Sequence, residues 1–156
     1  SNVVTYDNQN NEEANAIALD SQGNIYIAGR TSANNGDVLL LKYQSDGSPD
    51  GSFGSNGVVT FNQNGDEQAF SIAIDNNGDI YIAGEISLNN NRDVLVLKYK
   101  PDGSRDNTFG NQGVVTFNNT QEGAVGIAIV GNHLYVTGST RDNNNILQAL
   151  LLRFFK

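Results

Sequence analysis

The 156-residue chain contains no cysteine, methionine or tryptophan, two prolines and one histidine, His133. Without cysteine there is no disulfide staple, no thiol nucleophile and no Cys-ligated zinc. Around a lone histidine no Ser-His-Asp set or paired-His metal site can be assembled, so His133 is expected on the surface, in a hairpin turn. Basic residues are few: 9 Lys and Arg stand against 17 Asp and Glu, giving a net charge of −8. That balance speaks against a nucleic-acid backbone or an anionic membrane surface as partner. No apolar run reaches the ~18 residues of a membrane span. The opening residues, SNVVTYD, are neither basic nor followed by an apolar run, so no signal peptide is expected.

What is present is a repeat. Residues 58–113 are rewritten upstream as 3–57 and, for three quarters of their length, downstream as 114–156. Each of the first two copies carries four apolar runs of strand length, designated A to D in order: 14–19, 25–28, 38–43 and 58–61, then 69–74, 80–83, 94–99 and 114–117. The third copy supplies 124–129, 134–137 and 149–155. Val, Ile, Tyr, Phe and Thr dominate these runs, and no helical period competes. Asn, Asp and Gly fill the connections, where turns need them. Four-stranded antiparallel units in tandem predict an all-β fold, a β-propeller of four-stranded blades.

Run A has a small residue at every second position (Ala14, Ala16, Ala18; Ala69, Ser71, Ala73; Ala124, Gly126, Ala128). Runs B and C are bulky on both faces, so A is expected innermost and D outermost. Blade 1 then spans about 14–61, blade 2 about 69–117 and blade 3 about 124–155. The strand order is D, ABCD, ABCD, ABC, which places segment 3–6 as the missing outer strand of a third blade. Three blades fall short of the ~4–8 of a propeller and leave apolar faces bare. A homodimer forming a six-bladed ring, with each 3–6 strand completing the partner's blade 3, meets the count. So do a nine-bladed trimer, a fragment of a longer propeller and an engineered half-propeller.

The segments YQSDGSPDGSFGSNGVVTF and YKPDGSRDNTFGNQGVVTF, preceded by AIALDSQGNIYIAGR and SIAIDNNGDIYIAGE, resemble the bacterial delta-60 repeat. The resemblance covers effectively the whole chain, although the third copy lacks the Asp-x-x-Gly turn and the PDGS segment. It implies propeller-like repeats in bacterial, often secreted or surface-associated proteins, and no catalytic residues.

Four groups are candidates for chemistry. Asp46, Ser48, Asp50 and Ser52, with Asp102, Ser104, Asp106 and Thr108, alternate like the start of a calcium loop. They lack its Gly and Glu, which favours hydrogen bonds within the turn, with Phe53 and Phe109 plugging the blade base. Glu12, Glu67 and Glu122 precede run A at one position, forming either a solvated rim or a cation-holding ring. The D–A and B–C connections, including Phe70, Asn90 and Asn144, offer amides and carboxylates to a glycan or peptide. Lys42, Lys98 and Arg153 share one position in run C, suited to snorkelling or to pairing with a neighbouring blade. Together these features predict a non-enzymatic binding or interaction scaffold without cofactor or bound metal. The alternative is a lectin-like, carbohydrate-binding propeller. An enzyme at the channel mouth lacks a unique acid–base set.

Overall fold

A computed structural model describes residues 3–89, 91–118, 123–142 and 144–156. They form three antiparallel sheets. Sheet 1 consists of β1 (Glu12–Leu19), β2 (Ile25–Thr31), β3 (Asp37–Tyr43) and β4 (Val58–Phe61), in that spatial order. Sheet 2 repeats the meander with β5 (Asp66–Ile74), β6 (Ile80–Leu88), β7 (Asn91–Tyr99) and β8 (Val114–Phe117). Sheet 3 has β9 (Gly123–Val130), β10 (His133–Arg141) and β11 (Leu147–Phe155). The arrangement is consistent with consecutive propeller blades, and β1, β5 and β9 lie next to one another as inner strands. Several strands outrun their apolar runs. The β6–β7 ladder, for example, continues to Leu88↔Asn91 through polar pairs such as Ser87↔Arg92.

The small residues of the inner strands conceal a bulge in each. The pairing slips between Ala14 and Ala16, between Ala69 and Ser71, and opposite Thr137/Gly138. The bulged backbone presses on a glycine of the next strand: a Cβ at Gly29, Gly84 or Gly138 would lie 1.8–1.9 Å from a carbonyl oxygen of Glu13, Gln68 or Gly123. No side chain fits there, which explains an otherwise unwelcome mid-strand glycine.

Two layers of core lie between the sheets. Tyr26, Ala28, Val38 and Leu40 of sheet 1 pack against Ile72, Ile80, Ile82, Leu95 and Leu97 of sheet 2. The other face of sheet 2, with Tyr81, Ala83, Val94 and Val96, packs against Leu134, Val136, Leu150 and Leu152 of sheet 3. Every residue of β7 from Val94 to Tyr99 is therefore buried, as expected of a strand covered on both faces. The outward face of sheet 3 has no such cover, and that of sheet 1 is covered only over Leu39, Leu41 and Tyr43. Ile17 is 67% exposed where its equivalent Ile72 is 9%, and Leu151 is 66% exposed where its equivalent Val96 is 0%.

Segment 3–6 carries no strand assignment, and Val3 and Val4 are exposed. Tyr6, however, packs on the outward face of sheet 1 with Leu39, Leu41, Tyr43, Ile25, Ile27 and Val58.

Candidate functional site

At the base of each of the first two sheets, the segment joining the third and fourth strands folds on itself. Asp46 Oδ1 accepts hydrogen bonds from the Ser48 amide (2.9 Å) and hydroxyl (2.6 Å), and Asp50 Oδ1 does the same for Ser52 (3.0 and 2.6 Å). Asp102 with Ser104 and Asp106 with Thr108 repeat the pattern. The alternating oxygens thus serve their own turns. Phe53 and Phe109 stand edge-on to Tyr26 and Tyr81, with centroids 6.0 and 6.2 Å apart.

The shared lysine position works inside its own sheet rather than across to a neighbour. Lys42 Nζ lies 2.9 Å from Asp50, and Lys98 Nζ lies 2.7 Å from Asp106 and 3.0 Å from Asp79. Each ammonium also sits 5.3 Å from the centroid of a tyrosine ring, Tyr26 or Tyr81. The Ser52 hydroxyl and Lys42 hold the Asp50 carboxyl down at about 2. Lys98 and the Thr108 hydroxyl hold Asp106 lower still. Burial pushes the Tyr81 hydroxyl up to about 12. Ion pairs between sheets come instead from Lys156, whose Nζ donates to Asp75 Oδ2 at 2.8 Å, and from Arg30, whose Nη2 lies 2.9 Å from Asp66 Oδ1. His133 is half-buried against Phe155, with ring centroids 5.0 Å apart.

At the opposite end the acidic positions diverge. Glu67 is 0% exposed, which overturns a solvated rim at this position. Its Oε1 accepts from the amides of Gln63 (3.1 Å) and Gly65 (2.8 Å), closing the connection between β4 and β5. Its Oε2 is buried without a partner. Burial, seconded by Asp37 and Asp66, raises its carboxyl above the ordinary value. Glu12 is half-exposed and accepts only a long bond from the Thr31 hydroxyl, 3.4 Å. Glu122 lies outside the described residues, as does Asn90. Among the described residues no group of three His, Cys, Asp or Glu gathers at metal-binding distance.

Phe70, at the bulge of β5, is half-buried and lines a cavity of about 310 Å³ between sheets 2 and 3, with Glu85, Arg92, Val125, Ser139, Arg141 and Leu147. Arg92 Nη1 lies 3.5 Å from Glu85 Oε2, whose carboxyl burial raises. Asn144 is exposed in the turn after β10, its amide donating to Asp142 at 2.9 Å. These residues share one end of the molecule without forming a single site.

A feature not legible in the sequence occupies that end too. Asp37, 3% exposed, accepts Asn62 Nδ2 on Oδ1 (2.6 Å) and Asn34 Nδ2 on Oδ2 (3.1 Å). Asp93 grips Asn91 (2.8 Å) and Asn118 (3.2 Å) in the same way. The only sequence sign was an Asp just before run C in two copies, each flanked by Asn-rich connections.

Comparison with known families agrees with this architecture. Residues 8–37 match a family described as beta-propeller repeat, and residues 76–109 match a beta-propeller domain of unknown function (DUF5122). No curated protein matches the chain.

Proposed function

We propose that the chain is a non-enzymatic propeller scaffold whose three blades close into a six-bladed ring with those of a second copy. The observation that carries this is the seat of Tyr6. On sheet 2, Phe61 of the preceding blade packs in one core with Leu95, Leu97, Tyr99, Ile80, Ile82 and Val114. On sheet 1, Tyr6 packs with Leu39, Leu41, Tyr43, Ile25, Ile27 and Val58, the same positions one repeat earlier. Val4 follows suit. A Cβ at Gly47 would stand 3.6 Å from Val4 Cγ2, as one at Gly103 would stand 3.0 Å from Val59 Cγ2. Segment 3–6 therefore lies where the outer strand of a preceding blade belongs, without the rest of that blade.

Sheet 3 of a second copy has the missing parts. Its open face presents Leu151 and Ala149 where sheet 1 presents Leu40 and Val38 to sheet 2. The outer edge of β11 has no strand beside it among the described residues. In the register of β3 and β4, where Leu40 faces Val59 and Val38 faces Phe61, Val4 meets Leu151 and Tyr6 meets Ala149. A two-fold repeats this contact twice, covering both open faces and both strand edges. The repeats themselves favour a role without catalysis. Carboxylates and lysines hold the same turns in both complete blades, so the acid–base pairs of these turns are structural and not unique.

Light scattering tests the ring: the expected mass is twice the 16.8 kDa of one chain. Leu151→Arg, exposed in the single chain, should give a folded species of single-chain mass. A single-chain mass for the wild type, or an unchanged double mass for the variant, overturns the proposal.

A further inference from the structure

The asparagines gathered over Asp37 form a depression of about 500 Å³ lined by Asn34, Asn35, Asn62 and Asn64. The geometry points to a binding site for a neutral saccharide there, independent of ring closure because every residue of it belongs to one chain's first two sheets and their connections. Asp37 is buried and spends one oxygen on each of two amides. A carboxamide that gives one N–H to Asp37 keeps its carbonyl and second N–H for other partners, and Asn34 and Asn62 both line the hollow. Asn34 thus keeps an acceptor and a donor that can serve the hydroxyl groups of a sugar. Asn62 does the same, with one lone pair of its Oδ1 already taken by the Asn64 amide at 2.8 Å.

The positions are fixed from below rather than left to mobile loops. Asn34 comes from the connection between β2 and β3, Asn62 from that between β4 and β5, and Asp37 locks the two together. Such pre-orientation lowers the ordering cost that weakens polar recognition. Four amides without formal charge suit hydroxyl groups better than ions, and the chain's net charge of −8 disfavours anionic ligands. The structural alternative is an Asp that merely ties two loops. It accounts for Asp37 but not for the exposed amide surface the tie orients. Sheet 2 repeats the device at Asp93, while sheet 3 has Gln148 at that position and lacks it.

The test is a titration followed by ¹H–¹⁵N correlation spectra, using methyl α-D-mannopyranoside, methyl β-D-galactopyranoside and methyl β-D-glucopyranoside. Glucuronate and trialanine amide serve as charged and peptide comparators. At least one glycoside should shift the Asn34 and Asn62 side-chain amide signals saturably, in the wild type and in Leu151→Arg alike. Asn34→Ala and Asn62→Ala should each weaken that response at least tenfold while backbone spectra show the fold retained. The proposal is overturned if none of the glycosides shifts these signals, if the alanine variants respond as the wild type does, or if glucuronate or the peptide saturates them instead.

Discussion

Tyr6 and Phe61 occupy equivalent seats on successive sheets, Tyr6 over Leu39 and Leu41, Phe61 over Leu95 and Leu97. The difference is what stands behind them. Phe61 belongs to β4, paired along β3, whereas Tyr6 has no sheet of its own.

If another copy's β11 supplies that sheet, Tyr6→Ala should weaken assembly without unfolding the chain. Truncating a buried aromatic at an interface costs about 2–4 kcal/mol, so the dimer dissociation constant should rise at least tenfold by sedimentation equilibrium. The far-ultraviolet circular dichroism should not change. An unaltered dissociation constant counts against strand exchange at this segment.

The bulges make a sharp contrast between two glycines. At Gly84 a methyl group would lie 1.9 Å from the Gln68 carbonyl oxygen, and nothing short of undoing the bulge makes room. Gly84→Ala should cost more than about 3 kcal/mol, in the range of severe overpacking. At Gly51 a methyl group would meet no atom within 4 Å, and the backbone there has no positive φ. Gly51→Ala should therefore be neutral or stabilise by about 0.5 kcal/mol through the unfolded chain. Urea unfolding of both variants measures the difference. Similar losses at the two sites would mean that the bulge does not constrain β6.

Much of the architecture was legible. Among the described residues the apolar runs located all eleven strands, and β4 and β8 agree with their runs to the residue. The small-residue spacing of run A identified the inner strands. It did not reveal that the strands bulge, since a slipped register leaves the composition of a strand unchanged. Burial of Glu67 was hidden for a related reason. A carboxylate is mostly exposed on general grounds, and only the fold brings the Gln63 and Gly65 amides to it. Lys42 and Lys98 could be placed in strand C, but their partners depend on how the following turn curls back. The asparagines read as turn formers, and the buried Asp beneath them supplies the order.

The Lys98–Asp106 pair sets an acid limit on stability. Asp106 is held well below its ordinary value by Lys98 and the Thr108 hydroxyl. A carboxyl lowered on folding contributes stability that is present above its unfolded pKa, about 3.9, and is lost as pH falls through the folded value. Asp106→Asn should therefore cost roughly 2 kcal/mol at pH 7, the scale of hydrogen bonds to a charged group. The gap to wild type should close below about pH 4. Urea midpoints at pH 7, 4 and 2.5 check this, and a gap that stays constant would show that the pair does not stabilise the fold.

Glu67 should behave in the opposite sense. Burial, with the nearby Asp37 and Asp66 carboxylates, raises its pKa despite the two amides donated to Oε1. A carboxyl raised on folding favours the native state while protonated. That contribution is fully present below the unfolded value, about 4.3, and is lost as pH climbs through the folded one. Glu67→Gln keeps the Oε1 acceptor and removes the titration. Measured as wild type minus variant, stability should thus be more favourable to wild type at pH 4 than at pH 7, the reverse of the Asp106→Asn series. The two series share every other titrating group, so a general acid effect cannot produce opposite slopes. A flat difference would mean that burial does not perturb this carboxyl, and one that grows toward neutral pH would mean that the Gln63 and Gly65 amides outweigh burial.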